Sequence, residues 1–147
     1  MKSSTIVEAI ALLFIILFLY TGISKLMEYN VAVEQISLTP FLEPIANAIV
    51  IVLPIMELLT AVVLFIPPTR KYGLWTSLVL MISFTGYVIY IISFNDELPC
   101  TCGGVLEQLS WPQHLIFNLV IIGLLLTAIR LSAKEVNRVN HNKKALV

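Results

Sequence analysis

Charge and cysteine are both scarce in this chain. Charged residues make up 12% of its 147 residues, against roughly 25% in an average soluble domain. Only two residues are cysteine and two are histidine. The sequence has no glycine-rich phosphate-binding motif and no basic stripe interleaved with aromatic residues. These absences exclude the usual nucleotide-binding classes and predict that nucleic acid is not a partner.

Apolar residues are abundant instead, at 59% of the chain. They form four long runs, each close to the roughly 20 residues that a helix needs to cross a bilayer. With short connections, the runs predict an all-α, integral membrane four-helix bundle with up-down topology, in contact with membrane lipid. One domain is expected. It comprises residues 1–131, with spans at about 6–27, 44–66, 72–94 and 111–131, loops at 28–43 and 95–110, and a polar tail at 132–147.

The basic residues predict how the bundle is oriented. Lys25 lies in the end of the first span, and the other eight basic residues lie on the opposite side of the predicted membrane. The positive-inside rule therefore predicts that both termini are cytoplasmic and that loops 28–43 and 95–110 face the periplasm of a bacterial inner membrane. Those eight residues are Lys2, Arg70, Lys71, Arg130, Lys134, Arg138, Lys143 and Lys144.

The two cysteines, Cys100 and Cys102, stand one residue apart in the polar loop before the fourth span. A disulfide between them closes so short a loop that it stabilises the fold by only about 1.5 kcal/mol before strain. Strained, exposed disulfides are the labile kind that takes part in thiol exchange. The periplasmic C-x-C motif therefore predicts a redox role, and Gly103 and Gly104 would let a partner's backbone approach closely.

Two other functions remain open from the sequence. Thiolates at Cys100 and Cys102 suit a soft ion such as Cu(I), whereas a structural zinc site needs about four cysteine or histidine ligands. On that side of the membrane the chain adds only His114. The bundle is alternatively a non-catalytic anchor or assembly subunit of a larger membrane complex. Whether the chain is an enzyme stays open between a thiol–disulfide oxidoreductase and a membrane accessory of one.

Three residues of the fourth span lie close to the cysteine loop. Trp111 is predicted to anchor the start of this helix at the membrane interface. His114 and Asn118 are four residues apart and share one face of the helix. His114 either stabilises a thiolate and carries a proton, or sits at the interface with its tip in water. Asn118 is expected to make a hydrogen bond between helices.

Glu57 is the most anomalous residue, because it lies ~20 Å along the second span from its outer end. An ionisable group at that depth is costly and marks a candidate functional site. Glu57 is expected either to be protonated or to bond hydroxyl groups such as those of Ser77 or Ser83. Lys25 is expected to pair with Glu28 and to extend toward the membrane surface. Because the depths of Lys25 and Glu57 differ, the sequence does not predict that they pair.

A quinone is the one cofactor that the sequence leaves open. Tyr20, Tyr87 and Phe94 are candidates for lining a slot for its ring. A single cysteine pair cannot carry electrons across the bilayer by thiols alone. The redox hypothesis therefore needs a quinone, a partner protein or a role confined to the outer face.

The residues around the cysteines resemble those of the MauE (methylamine utilisation) family: Cys100-Thr101-Cys102-Gly103-Gly104, then Leu109, Trp111, His114 and Asn118. Two further stretches, 22–26 and 54–57, are similar to the broader DoxX-like membrane proteins. The resemblance covers essentially all four spans. It implies a four-helix membrane protein with a redox-associated role beside a thioredoxin-like periplasmic partner, with Cys100 and Cys102 as the redox pair. It does not imply that the client is methylamine dehydrogenase.

Overall fold

The computed structural model describes residues 3–94 and 111–145, and the regular structure in these two ranges is entirely helical. Short 3-10 turns at Glu43–Ile45 and Pro67–Thr69 lead into the second and third long helices. The predicted all-α membrane bundle is confirmed. The helices are α1 (Ser3–Met27), α2 (Tyr29–Ser37), α3 (Ala46–Phe65), α4 (Arg70–Phe94) and α5 (Trp111–Ala145).

Four of these helices are long and apolar enough to cross a membrane, at Ser4–Met27, Glu43–Phe65, Pro67–Phe94 and Pro112–Lys134. The chain is therefore a multi-pass membrane protein. The short helix α2 occupies the loop predicted at 28–43. Helix α5 continues past residue 131, the predicted end of the fourth span, as far as Ala145.

The four long helices pack as a ring in which α1 contacts α3 and α5, and α4 contacts the same two neighbours. Each helix buries one stripe at helical spacing, since positions three and four residues apart share a face. On α3 the stripe runs through Val50, Pro54, Glu57, Ala61 and Leu64. The outward-facing positions are mostly large apolar residues, because lipid rather than water surrounds a membrane bundle.

We define the loop end of the bundle as the end at which α4 finishes and α5 begins. The helices do not finish level there. Lys25, two residues from the end of α1, contacts Glu57, eleven residues into α3. His114, three residues into α5, contacts Phe84, ten residues before the end of α4. At 1.5 Å per residue, α3 thus extends ~14 Å beyond α1, and α4 extends ~10 Å beyond α5.

Helix α2 packs against the extended part of α3, where Tyr29 donates a hydrogen bond to Asn47 at 2.9 Å. The backbone of α1 runs almost directly into it, because the amide of Glu28 bonds the Ser24 carbonyl at 3.0 Å and Ala32 bonds Glu28 at 3.0 Å. Tyr87 on α4 donates a long 3.4 Å hydrogen bond to the Gln35 carbonyl of α2. Through these contacts, α2 covers the part of α3 and α4 that extends beyond the end of α1.

Candidate functional site

A cluster of polar side chains lies inside the bundle at the level where α1 and α5 reach the loop end. Lys25 and Thr21 come from α1, Glu57 from α3, and His114 and Asn118 from α5. Helical spacing explains why they converge. Lys25 continues the buried stripe of α1 through Phe14 and Phe18, while His114 and Asn118 begin the buried stripe of α5 that continues through Ile121, Leu125 and Ala128.

Lys25 and Glu57 form an ion pair across the α1–α3 interface. The Glu57 side chain is 8% exposed and that of Lys25 is 23% exposed. Burial of this kind in a low-dielectric interior strengthens the attraction between the charges and also raises the cost of leaving either one alone. The sequence did not predict this pair, because α1 ends near the middle of α3 and not beside its start.

Two expectations for this pair are corrected. Glu57 accepts its second hydrogen bond from Thr21, at 3.2 Å, and not from a serine of α4. Ser77 instead donates to the Gly73 carbonyl of its own helix at 2.7 Å. Lys25 does not pair with Glu28, whose Oε2 atom is buried and accepts no hydrogen bond from the residues that the structure describes.

Phe84 of α4 links the ion pair to His114. The Lys25 ammonium lies over its ring, 5.4 Å from the centroid, in cation–π geometry. The imidazole of His114 lies 5.5 Å from the same ring, tilted by 51°. His114 is 3% exposed, so the alternative of an interfacial histidine with its tip in water is wrong.

Asn118 is 1% exposed and lies one helical turn beyond His114. Its Nδ2 amide is buried and has no hydrogen-bond partner in the described part of the chain. The expected hydrogen bond from this amide to another helix is therefore not formed. A buried donor without an acceptor is costly. An acceptor that enters the bundle would therefore gain a hydrogen bond from Asn118.

A small cavity touches all five polar residues of the cluster and has a volume of about 60 Å³. Its remaining walls are apolar and come from Leu17, Phe18, Leu53, Leu80, Met81, Phe84 and Phe117. A cavity needs roughly 10–15 Å³, measured in this way, to hold one water molecule, and the water needs about 2–4 polar partners. This first cavity therefore fits a few water molecules but no sizeable cofactor.

A second cavity, of about 220 Å³, lies between α2, α3 and α4. It shares Lys25, Leu53, Leu80 and Phe84 with the first cavity, so these side chains form the wall between the two. Most of its surface is apolar. Tyr87 is among its lining residues, whereas Tyr20 and Phe94 are not, so this cavity does not bring together the three aromatics proposed for a quinone slot.

The cysteine loop lies outside the described residues, and with it Cys100, Cys102, Gly103 and Gly104. Trp111 begins α5, while its side chain also lies outside what the structure describes. The other four candidates do converge: Lys25, Glu57, His114 and Asn118. Among the residues that the structure describes, no group of three or more histidine, cysteine or acidic side chains is arranged to hold a metal ion.

The sequence interpretation missed two members of the site. Thr21 is one turn before Lys25 on α1, and that spacing is a signal that it shares Lys25's face. Phe84 carries no such signal, because a phenylalanine in an apolar span is not distinguished by its neighbours. Its role becomes visible only from its contacts with Lys25 and His114.

Comparison with known proteins identifies one family. The family model described as methylamine utilisation protein MauE matches residues 3–131, which include all four predicted spans. No curated protein and no solved structure matches the chain.

Proposed function

The chain belongs to the MauE family, and from that premise we propose that it is a membrane protein of thiol–disulfide exchange whose reacting pair is Cys100 and Cys102. The main support for the proposal is the place where the cysteine segment joins the bundle. The segment that bears both cysteines enters α5 at Trp111, three residues before His114. A buried ion pair and a buried histidine thus lie at the same end of the bundle as the ends of that segment.

The proposed reaction is an exchange with a thioredoxin-like partner in the periplasm. A thiolate of the reduced partner attacks one sulfur of the Cys100–Cys102 disulfide, and the other sulfur leaves as a thiolate. The partner's second thiolate then attacks the mixed disulfide and releases the second cysteine. The partner ends oxidised and the pair ends as two thiols, after uptake of the two protons that the partner lost. The reverse sequence oxidises the pair.

The buried cluster supports this chemistry through proton transfer. Each thiol must lose its proton before its sulfur can attack, and histidine is the side chain best suited to exchange protons near neutral pH. His114 is buried beside the Lys25–Glu57 pair. In the proposed function, His114 takes up a proton from the cysteine pair. The first cavity, which both His114 and Glu57 line, links the two side chains.

Orientation is part of the proposal. The sequence predicts that eight of the nine basic residues, all except Lys25, belong to the side of the membrane opposite to the cysteine segment. The positive-inside rule then puts both termini in the cytoplasm of a bacterial cell and the cysteine segment in the periplasm. An oxidising compartment of this kind is where protein disulfides form and persist.

Replacing both cysteines by serine is the direct test. The variant Cys100→Ser/Cys102→Ser is expected to abolish oxidation or reduction of a purified thioredoxin-like partner, because the bonds that exchange are missing. The partner's redox state is followed by gel shift after alkylation. Thr101→Ser is the matched control and keeps the wild-type rate. Unchanged exchange by the double variant would contradict the proposal, and its stable retention in a larger complex would favour the anchor or assembly role.

Labelling in intact cells tests orientation and chemistry together. After mild reduction, a membrane-impermeant maleimide is expected to modify both Cys100 and Cys102, and no modification is expected before reduction. Mass spectrometry of the purified chain gives the number of labels. Protection that persists after reduction would contradict a periplasmic location. Labelling that appears only after copper chelation would instead show that the two thiols hold Cu(I).

A further inference from the structure

We infer that the second cavity, between α2, α3 and α4, binds the ring of a quinone that accepts the two electrons released when Cys100 and Cys102 form a disulfide. The inference rests on the proposed function for the source of the electrons. It adds the chemical class of the electron acceptor and the place where that acceptor binds.

The size and lining of the cavity fit a substituted single ring. An apolar cavity of about 150 Å³ is large enough to hold benzene. The second cavity offers about 220 Å³, which leaves room for ring substituents. Apolar side chains form most of its wall, among them Val31 and Ile36 of α2, Ile49 and Val50 of α3, and Leu80 of α4.

Its few polar groups suit both redox states of a quinone. Lys25 lines the cavity, and its ammonium has three N–H donors, one of which the ion pair directs at Glu57. A quinone carbonyl accepts such a donor. Glu28 also lines the cavity, and no described residue donates a hydrogen bond to its buried Oε2 atom. The hydroxyl of a quinol is a donor that would satisfy it.

The reaction balances with a quinone as the acceptor. One cysteine thiolate adds to a ring carbon of the quinone. The second sulfur then attacks the first, the S–S bond forms as the C–S bond breaks, and the electron pair stays on the ring. The two oxygens of the ring take up the two protons that the thiols released. Two thiols and one quinone thus give one disulfide and one quinol.

The position of the cavity agrees with this sequence of steps. It lies at the loop end, where α3 and α4 extend beyond α1 and α5. Tyr87 of its wall is seven residues before Phe94, the last residue of α4 ahead of the cysteine segment. The first cavity lies on the other side of the wall that includes Lys25 and Phe84, so protons and the ring have separate, adjacent sites.

Binding of two probe quinones, decylubiquinone and menadione, tests the inference with the full chain in lipid nanodiscs. Saturable binding of at least one probe is expected for the wild type and, undiminished, for Cys100→Ser/Cys102→Ser. Ala32→Phe fills the cavity from α2 and is expected to weaken binding at least tenfold. Ala48→Phe, at an exposed position of α3 outside the cavity lining, is the matched control and keeps wild-type affinity.

Ser83→Leu fills the same cavity from α4, so that the result does not depend on whether Ala32→Phe folds. Thermal unfolding of each variant shows whether it is folded. No saturable binding to the wild type, or equal affinity of the filled variants and the control, would overturn the inference. Displacement of the probe by lipid alone would show that the cavity holds an acyl chain. If the protein exchanges thiols but does not bind a quinone, only this inference is overturned. If it binds a quinone but exchange does not need the cysteines, only the proposed function is overturned.

Discussion

Replacing Lys25 by methionine is expected to lower the free energy of unfolding of the bundle by about 3–5 kcal/mol. The substitution leaves the Glu57 carboxylate, whose side chain is 8% exposed, with the Thr21 hydroxyl as its remaining partner from α1. Methionine has nearly the same length and fills the same space, so the loss comes from the missing charge. Unfolding of the protein in detergent micelles, followed by circular dichroism against denaturant, measures the effect.

The double variant Lys25→Met/Glu57→Leu distinguishes the cost of one unpaired buried charge from the contribution of the ion pair itself. It removes both ions, and it is expected to recover most of the lost stability, because a buried ion pair is often replaced by apolar residues at little cost. Glu8→Gln is the control at the other ion pair, where Glu8 is 60% exposed and 3.9 Å from Arg70; a change below about 1 kcal/mol is expected there. A double variant as unstable as the single one would contradict the argument.

Gly73→Ala is expected to cost about 1–3 kcal/mol, because the new methyl group overpacks the contact between α3 and α4. A Cβ atom at position 73 would lie 2.9 Å from two side-chain carbons of Leu64 and 3.0 Å from its backbone nitrogen. Leu64 is fully buried and cannot swing outward. The two helices must therefore separate. The same denaturant unfolding measures the loss.

Gly86→Ala on the same helix is the matched control. A Cβ atom there meets nothing within 4 Å, and alanine favours a helix over glycine by about 1 kcal/mol. The two substitutions are thus expected to shift stability in opposite directions. A loss of equal size at both positions would show that the close approach of Leu64 is not the cause.

The four spans could be predicted from the sequence because crossing a bilayer depends on length and apolar content, which any single run displays by itself. The convergence of His114 and Asn118 was predictable for a similar reason. Two residues four positions apart on a helix share a face whatever the other helices do, and both are buried.

The Lys25–Glu57 pair could not be predicted, because it depends on how two helices are offset along their axes. A hydropathy pattern gives where a span starts and ends in the sequence but not whether neighbouring spans end level. Here α1 finishes beside the middle of α3. The same offset brought Thr21 to Glu57 in place of a serine from α4. The lack of a partner for the Asn118 amide among the described residues likewise depends on all the helices together and not on any single stretch.

The ion pair also bears on how the chain enters the membrane during synthesis. Glu57 is near the middle of the 20-residue helix α3, and an ionised carboxylate there costs roughly 2.5–3.5 kcal/mol when the helix inserts alone. Lys25 stands two residues from the end of α1 and can reach the interface by itself. Helix α1 is thus stable in lipid before α3 is inserted. Helix α3 gains a counter-ion for Glu57 only when it docks beside α1. Insertion and assembly of this half of the protein become a single event.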